Sequence, residues 1–133
     1  MKSFVTLAES VELGMAKLSE ISRGRLDVPC DQVFKRAIDY REAAKRGISW
    51  DTARPKMPGR VRPVFLQTLI STQQGLTTKN VRDIIEKHAW DSAGEPPVVV
   101  NVAGRLYLLD GHHRVAAAIL AGERQIDAEV VVL

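Results

Sequence analysis

The chain has 133 residues, of which 45% are hydrophobic and 26% charged, and its formal net charge is +3. These values are ordinary for a soluble globular protein of about one domain, and a charge of this size permits nucleic-acid contact without establishing it. The single cysteine, Cys30, excludes an internal disulfide framework and a multi-cysteine zinc site. No apolar run approaches the roughly 18 to 20 residues that span a bilayer, and the start of the chain lacks the apolar core of a signal peptide. We therefore expect a cytoplasmic protein without membrane contact.

Two helices are predicted in the first part of the chain. Apolar residues recur at helical spacing over residues 8–22 and predict an amphipathic helix. A second helix is predicted from Asp31 to Arg46, with Gly47 as its stop signal. We expect this helical pair to pack on the rest of the chain or on a second copy. The alternative is that residues 8–46 bind a protein partner or, through the basic side chains of the second helix, DNA.

Residues 48–62 contain two prolines and a glycine, show no periodicity and are predicted to form a connector. They carry the densest basic patch of the chain: Arg54, Lys56, Arg60 and Arg62. A solvated loop is the simpler interpretation, and the alternative is a strap that contacts a nucleic-acid backbone or the phosphates of a bound nucleotide. Trp50 is expected to lie in the core or to anchor this segment, although an aromatic ring beside basic residues could also stack on a base.

From Pro63 onward, strand and helix patterns alternate, which predicts the order strand, helix, strand, strand, helix, strand. In chain order the predicted elements are a strand over 64–70, a polar turn over 71–75, a helix capped by Thr77 or Thr78, a loop over 91–97, a strand over 98–102, a tight turn at Ala103 and Gly104, a strand over 105–109, a helix over 112–121 and a strand over 126–132. These elements predict an α+β fold.

The stretch from Leu109 to Arg114 joins a predicted strand to a predicted helix through a tight turn. Gly111 lets the backbone approach a ligand closely, and the first N–H groups of a helix point outward without partners. Histidine and arginine side chains stand beside them. This combination of residues predicts a site for an anion such as a phosphate.

The residues around this turn resemble the ParB/sulfiredoxin superfamily. The runs that carry the resemblance are Pro96–Val100, Asp110–Ala118, Leu120–Gly122 and Ile126–Val130. The Asp-Gly-His-His-Arg form is most similar to the small ParB-like nuclease-domain proteins of phages and bacteria and to the ParB-related free serine kinases. The resemblance covers residues 62–133 and implies a ParB/sulfiredoxin-like domain with a mixed sheet and helices. Residues 1–61 would precede it as the helical pair and basic connector.

The resemblance implies a phosphate cradle built from Gly111, His112, His113 and Arg114. Its ligand would be a nucleotide triphosphate such as ATP or CTP, or DNA, with Mg²⁺ as a helper. Two activities of the superfamily are not expected. Sulfinate reduction needs a cysteine in the turn, whereas Cys30 lies far upstream, and a CTP-controlled DNA clamp needs a further DNA-binding domain after Leu133.

The expected role differs from one turn residue to the next. His113 and Arg114 match the pair that grips phosphate in the family, and the simpler interpretation of Arg114 is a surface ion pair with Glu123. His112 could donate to phosphate, act as an acid or base, or cap the helix. Asp110 could hold Mg²⁺, orient His113, or cap the helix. A transition-metal site is disfavoured because adjacent residues in one turn rarely converge on one ion.

Other polar residues could complete a catalytic site. Thr72 and Gln73 end the predicted first strand and either contact the ligand or satisfy a turn. The superfamily's kinases use an upstream carboxylate as the base, but no carboxylate upstream of the turn matches a motif well enough to be named.

The residues fit two classes of function. If the protein is an enzyme, with Asp110, His112 and His113 as catalytic residues, we expect a Mg²⁺-dependent nuclease or a nucleotide-dependent phosphotransferase or NTPase. The alternative is a non-enzymatic, nucleotide-responsive module that interacts with DNA or protein. The resemblance also implies a phage or mobile-element origin.

Overall fold

The structure is a computed structural model that describes residues 7–24, 27–91 and 94–133. The expectations for the first residues of the chain, and for part of the loop at 91–97, lie outside these ranges. The helices are α1 (Leu7–Ser22), α2 (Tyr40–Lys45), α3 (Trp50–Ala53), α4 (Thr78–Glu86) and α5 (His112–Leu120). The strands are β1 (Asp27–Pro29), β2 (Arg36–Ala37), β3 (Arg60–Phe65), β4 (Leu69–Ser71), β5 (Gly75–Thr77), β6 (Val98–Val102), β7 (Arg105–Asp110) and β8 (Gln125–Val132).

Six strands form one mixed sheet in the order β2-β4-β7-β6-β8-β3. The pairs β2/β4, β4/β7 and β6/β8 are parallel, whereas β6/β7 and β3/β8 are antiparallel. The strands β1 and β5 form a separate antiparallel pair. The predicted fold class, α+β with a mixed sheet and helices, is confirmed.

Helices cover both faces of the six-stranded sheet. On one face, α1 packs against α4 and α5 over the main core, which includes Val99 and Leu108. On the other face, α2 and α3 cover a smaller core that includes Val100 and Tyr107. Successive residues of a strand point to opposite faces, so the uninterrupted apolar runs of β6 and β7 fit a sheet that is buried on both sides. In the described part of the chain, no helix has the length and apolar character needed to cross a bilayer.

The predicted helix from Asp31 to Arg46 is wrong. The segment instead begins with a 3-10 turn at Cys30–Gln32, continues through β2 and becomes helical only at Tyr40. Asp39 fixes that start, because its backbone is extended and its carboxylate accepts a 2.8 Å hydrogen bond from the N–H of Glu42. Pairing of β2 with β4 therefore overrides the helical propensity of this segment.

The predicted strand over 64–70 is two strands. A 3-10 turn at Leu66–Thr68 separates β3 from β4, and the hydroxyl of Thr68 stabilises the turn by donating to the carbonyl of Phe65 at 2.7 Å. As a result, β3 lies at one edge of the sheet and β4 lies near the other. The predicted connector over 48–62 contains α3 and the start of β3, so the predicted domain boundary between residues 61 and 62 falls inside this strand.

The other predicted elements agree with the structure. The first helix, the strands of residues 98–109, the helix after Gly111 and the last strand are confirmed. Ala103 and Gly104 form the tight turn between β6 and β7, with φ angles of 53° and 87°. The helix α4 begins where predicted, but the side chain of Thr77 makes no capping hydrogen bond.

Candidate functional site

Gly111 links β7 to α5 in a conformation that other residues rarely adopt. Its φ angle is +94°, in the left-handed region that favours glycine. A Cβ atom at this position would lie 2.9 Å from the Cβ of Pro97. Both the backbone angle and the close approach of Pro97 therefore require a glycine here.

The N-terminus of α5 has backbone donors without helical partners. Val115 is the first residue of this turn whose N–H bonds within the helix, to the carbonyl of Gly111 at 3.0 Å. The N–H groups of His112, His113 and Arg114 precede it and have no acceptor four residues back within the helix. Gly111 is the N-cap residue and has no side chain to cap them. Three amide donors and the positive end of the helix dipole thus coincide at this turn.

His112 is buried and neutral. Its Nε2 accepts a 3.1 Å hydrogen bond from the N–H of Thr72, and its ring makes an edge contact with Phe34 at a centroid distance of 5.9 Å. Burial, with a smaller contribution from His113, lowers the pKa of His112 to about 4. Because Nε2 accepts, the proton of the neutral ring lies on Nδ1.

Thr72 and Gln73, the predicted ligand contacts, lie in the loop that His112 holds. The hydroxyl of Thr72 donates to the carbonyl of Leu108 at 2.7 Å, and the side-chain amide of Gln73 donates to the carbonyl of Gly75 at the same distance. Both side chains therefore bond to the protein backbone, and Thr72 ties the loop after β4 to β7.

His113 repeats the arrangement of His112 one residue later. Its Nε2 accepts a 3.1 Å hydrogen bond from the N–H of Thr77, at the end of β5. Burial lowers the pKa of this half-buried imidazole. Because Nε2 accepts, the proton of this ring also lies on Nδ1. The two adjacent histidines bond to Thr72 and Thr77 and so hold both ends of the segment that contains β5.

Arg114 binds a different segment from the one that the histidines hold. Its guanidinium donates a 2.8 Å hydrogen bond to the carbonyl of Glu95, in the loop that leads to β6. Within the described residues this carbonyl is its hydrogen-bond partner, whereas the simpler sequence interpretation placed Arg114 in an ion pair with Glu123. Three consecutive residues of α5 therefore hold two segments around one turn. His112 and His113 hold the segment from Thr72 to Thr77, and Arg114 holds the loop before β6.

Positive charge at the turn comes from Arg114 and the helix terminus, because burial favours the neutral form of both imidazoles. Asp110 is exposed at the end of β7, opposite Val98. Among the described residues, no three histidine, cysteine or carboxylate side chains come together in a way that could hold a metal ion. A cation beside Asp110 would need ligands from a bound molecule or from water.

The basic residues of the connector lie outside the turn. All four are exposed: Arg54, Lys56, Arg60 and Arg62. Three of them line an open groove of about 650 Å³ along the last residues of β8, and the guanidinium of Arg54 stacks over the Trp50 ring at 5.6 Å. Trp50 is half-buried beneath it.

Sequence reasoning missed the residues that support the turn. Phe34, Thr77, Glu95 and Pro97 each contact a turn residue. Two of these contacts use backbone atoms, which give no signal in the choice of side chain. Cys30 is buried beside the loop that His112 holds, because its N–H donates to the carbonyl of Gln74 at 3.1 Å. Burial raises the pKa of its thiol.

The comparisons with known proteins give one structural likeness. No family model matches the chain, and no curated protein matches it. The chain is similar to the crystal structure of sulfiredoxin from Arabidopsis thaliana, with a TM-score of 0.49 and 17% sequence identity. This likeness covers 56% of the present chain and 86% of the sulfiredoxin chain.

Proposed function

We propose that the N-terminus of α5 binds a phosphate group of a nucleotide or a nucleic acid. The observation that carries this proposal is the group of three N–H donors behind Gly111, an N-cap residue that has no side chain to cap them. The Nδ1–H of His113 and the free donors of Arg114 lie beside them and would add hydrogen bonds to phosphate oxygens. Helix N-termini with a closely approaching glycine bind phosphate in this way in unrelated folds.

Mg²⁺ fits the site as part of a nucleotide complex. Asp110 provides one exposed carboxylate at the edge of the turn. Mg²⁺ commonly binds through one or two carboxylates together with substrate phosphates and water. We therefore expect ATP or CTP to bind as the magnesium complex, with Asp110 as the protein ligand.

The geometry restricts the catalytic role of the histidines. A general base needs a free lone pair, but the Nε2 atoms of His112 and His113 already accept backbone N–H groups. An enzyme of this architecture would use positioning and charge neutralisation for phosphodiester hydrolysis or phosphoryl transfer. Asp110 would take part as the magnesium ligand and not as the base, because coordination to the metal lowers the basicity of its carboxylate.

A non-enzymatic, nucleotide-responsive module is the second candidate. It is favoured by the way the two histidines tie the segment from Thr72 to Thr77 to α5 while Arg114 ties the loop before β6 to the same helix. A phosphate that recruits the side chain of Arg114 would release the loop before β6 and so transmit binding to a partner surface.

The test combines binding and turnover measurements. ATP, CTP, GTP and a short DNA would each be added with and without Mg²⁺, with melting temperature, heat of binding and product formation as readouts. We expect at least one phosphate ligand to bind the wild type, and Arg114→Ala and His113→Ala to weaken that binding. Arg124→Ala, an exposed arginine beyond the other end of α5, should leave binding unchanged. If none of these ligands binds the folded protein, the proposal is wrong.

A further inference from the structure

Positive charge is concentrated in one part of the chain. Residues 40–62 contain seven basic and two acidic residues, so the rest of a chain with a net charge of +3 is slightly acidic. The exposed side chains of Arg54, Lys56, Arg60 and Arg62 are here called the basic surface. A phosphate site at the N-terminus of α5 does not by itself account for this concentration of basic residues.

The register of the sheet relates the basic surface to the turn. Asp110 lies opposite Val98, Val98 opposite Glu129, and Glu129 opposite Val61 in β3. These four residues form one row across four adjacent strands. Neighbouring strands are about 4.8 Å apart, so roughly 14 Å separates the backbone of Val61 from that of Asp110. Arg60 and Arg62 are the neighbours of Val61 along β3, one on each side of this row.

The two arginines of β3 project from the face that carries α5. Arg62 lies opposite Ala128, and Arg60 lies opposite Val130. Directly opposed residues of neighbouring strands point to the same face of a sheet, and both partners belong to the core beneath α5. Arg60 and Arg62 are therefore on the same side of the sheet as α5, and Lys56 lines the same groove as these two arginines. Arg54 directly follows α3, which covers the other face of the sheet.

The segment that carries the basic surface is fixed to the sheet. The N–H of Gly59 donates a 2.8 Å hydrogen bond to the carboxylate of Glu129, and a Cβ at Gly59 would collide with the carbonyl oxygen of Val130. This bond also engages the acidic side chain of the row. Glu129 and Asp127 lie opposite Val61 and Pro63, so both carboxylates are on the face of the sheet away from Arg60 and Arg62.

The need to protect an edge strand from pairing with another chain explains only some of these basic residues. Because β3 is an edge strand, Arg60, Arg62 and Pro63 would discourage pairing with another chain. Arg54 and Lys56 precede the strand and have no such role. All four side chains are exposed, and three of them line one open groove, which suits an extended polyanion.

We propose that the basic surface and the N-terminus of α5 bind one ligand together, and that this ligand is a polynucleotide strand. The inference rests on the proposed function of the turn. The backbone at the turn and the backbone of β3 beside Arg60 and Arg62 are roughly 14 Å apart, a span over which successive phosphates of one strand are spaced. A sugar–phosphate chain supplies phosphates at both places, and the exposed arginines contact it without reading its sequence.

The test compares a polynucleotide with a mononucleotide on matched variants. The probes are a labelled 12-nucleotide single-stranded DNA, followed by fluorescence anisotropy over a range of salt concentrations, and Mg²⁺–ATP, followed by calorimetry. The variants are R60Q/R62Q, R114A and the control K35Q/R36Q, whose two exposed basic residues lie at the opposite edge of the sheet. Circular dichroism checks that each variant is folded, and the single variants R60Q and R62Q replace the double variant if it is not.

We expect R60Q/R62Q to weaken binding of the oligonucleotide and to leave binding of Mg²⁺–ATP unchanged. The slope of log affinity against log salt should fall by about 1.4, since each phosphate contact of a single strand contributes about 0.7. R114A should weaken binding of both probes, and K35Q/R36Q neither.

Several results would overturn the shared-ligand proposal. If R60Q/R62Q binds the oligonucleotide like the wild type while Mg²⁺–ATP still binds, the polynucleotide inference fails and the proposed function stands. If R60Q/R62Q weakens oligonucleotide binding and R114A does not, the basic surface acts apart from the turn. Displacement of the oligonucleotide by polyglutamate at equal charge would show a surface for acidic proteins instead. If neither probe binds, the proposed function itself fails.

Discussion

His112 and His113 show how a residue type can be predicted while its chemical role is not. The sequence places two histidines and an arginine at a helix start, which indicates an anion site. It does not show that both Nε2 atoms accept N–H groups from residues 72 and 77. Because those donors are about 40 positions earlier in the chain, no local pattern reveals them. Both Nε2 lone pairs are thus occupied, and in each neutral ring the proton lies on Nδ1.

The lowered pKa of His112 predicts a loss of stability in acid. In the folded protein its pKa is about 4, below the ordinary value of 6.5, so the unfolded chain binds the proton more tightly. This contribution to stability is complete above pH 6.5 and is lost as the pH falls toward 4, at a cost of about 3 kcal/mol. Urea unfolding of the wild type and of H112Q over this pH range measures it.

H112Q retains an acceptor for the N–H of Thr72 but has no titratable group. We expect its free energy of unfolding to fall less steeply between pH 6.5 and 4 than that of the wild type. Equal slopes for the two proteins would mean that the buried imidazole is not the source of the acid sensitivity.

Gly111 and Gly122 allow backbone strain to be separated from packing. Both have positive φ angles, of 94° and 85°, but a Cβ at Gly122 meets nothing within 4 Å whereas one at Gly111 meets Pro97. We expect Gly122→Ala to cost about 1 kcal/mol and Gly111→Ala at least twice as much. Chemical denaturation measures both costs, and equal costs would contradict the close approach of Pro97.

At the scale of elements, the strongest sequence patterns were those that persist over many residues. The first helix, the hairpin of β6 and β7, α5 and β8 follow from periodicity and turn residues alone. The strands β1, β2 and β5 have two or three residues each. Such short strands form because a neighbouring strand offers hydrogen-bond partners, so no pattern in their own sequence predicts them. The sequence does not predict the break at Leu66–Thr68, because an apolar run has the same pattern whether it forms one strand or two.

The contact between α5 and β5 predicts a local change in amide exchange. In His113→Ala the N–H of Thr77 loses its acceptor, whereas the N–H of Thr72 keeps His112. A hydrogen bond with a net value of about 1 kcal/mol corresponds to roughly fivefold faster exchange. Hydrogen exchange followed by NMR should show this increase at Thr77 and little change at Thr72. The same increase at both amides would indicate general loosening instead.

In the whole molecule, helices pack on both faces of the sheet and form a layered structure. The helix α1 packs on α4 and α5, so the helix that supports the candidate site is itself covered by the first helix of the chain. Sequence periodicity predicted α1 but could not show which surface it covers, because any apolar face would satisfy the pattern.

Leu18 and Leu13 test whether α1 is part of the core. Leu18 is fully buried, whereas Leu13 is 53% exposed on the same helix. We expect Leu18→Ala to lower the free energy of global unfolding by about 2–5 kcal/mol, and Leu13→Ala to change it by less than about 0.5 kcal/mol. Urea denaturation followed by far-UV circular dichroism provides the comparison. A helix that was only an appendage would leave global unfolding insensitive to Leu18→Ala.

The turn at Ala103 and Gly104 has a practical consequence. It is exposed, and it lies at the opposite end of β7 from Asp110. Exposed loop tips of this kind tolerate inserted residues. A dye or a surface-attachment tag introduced there would report on ligand binding, or hold the molecule on a sensor chip, with the candidate site facing the solution.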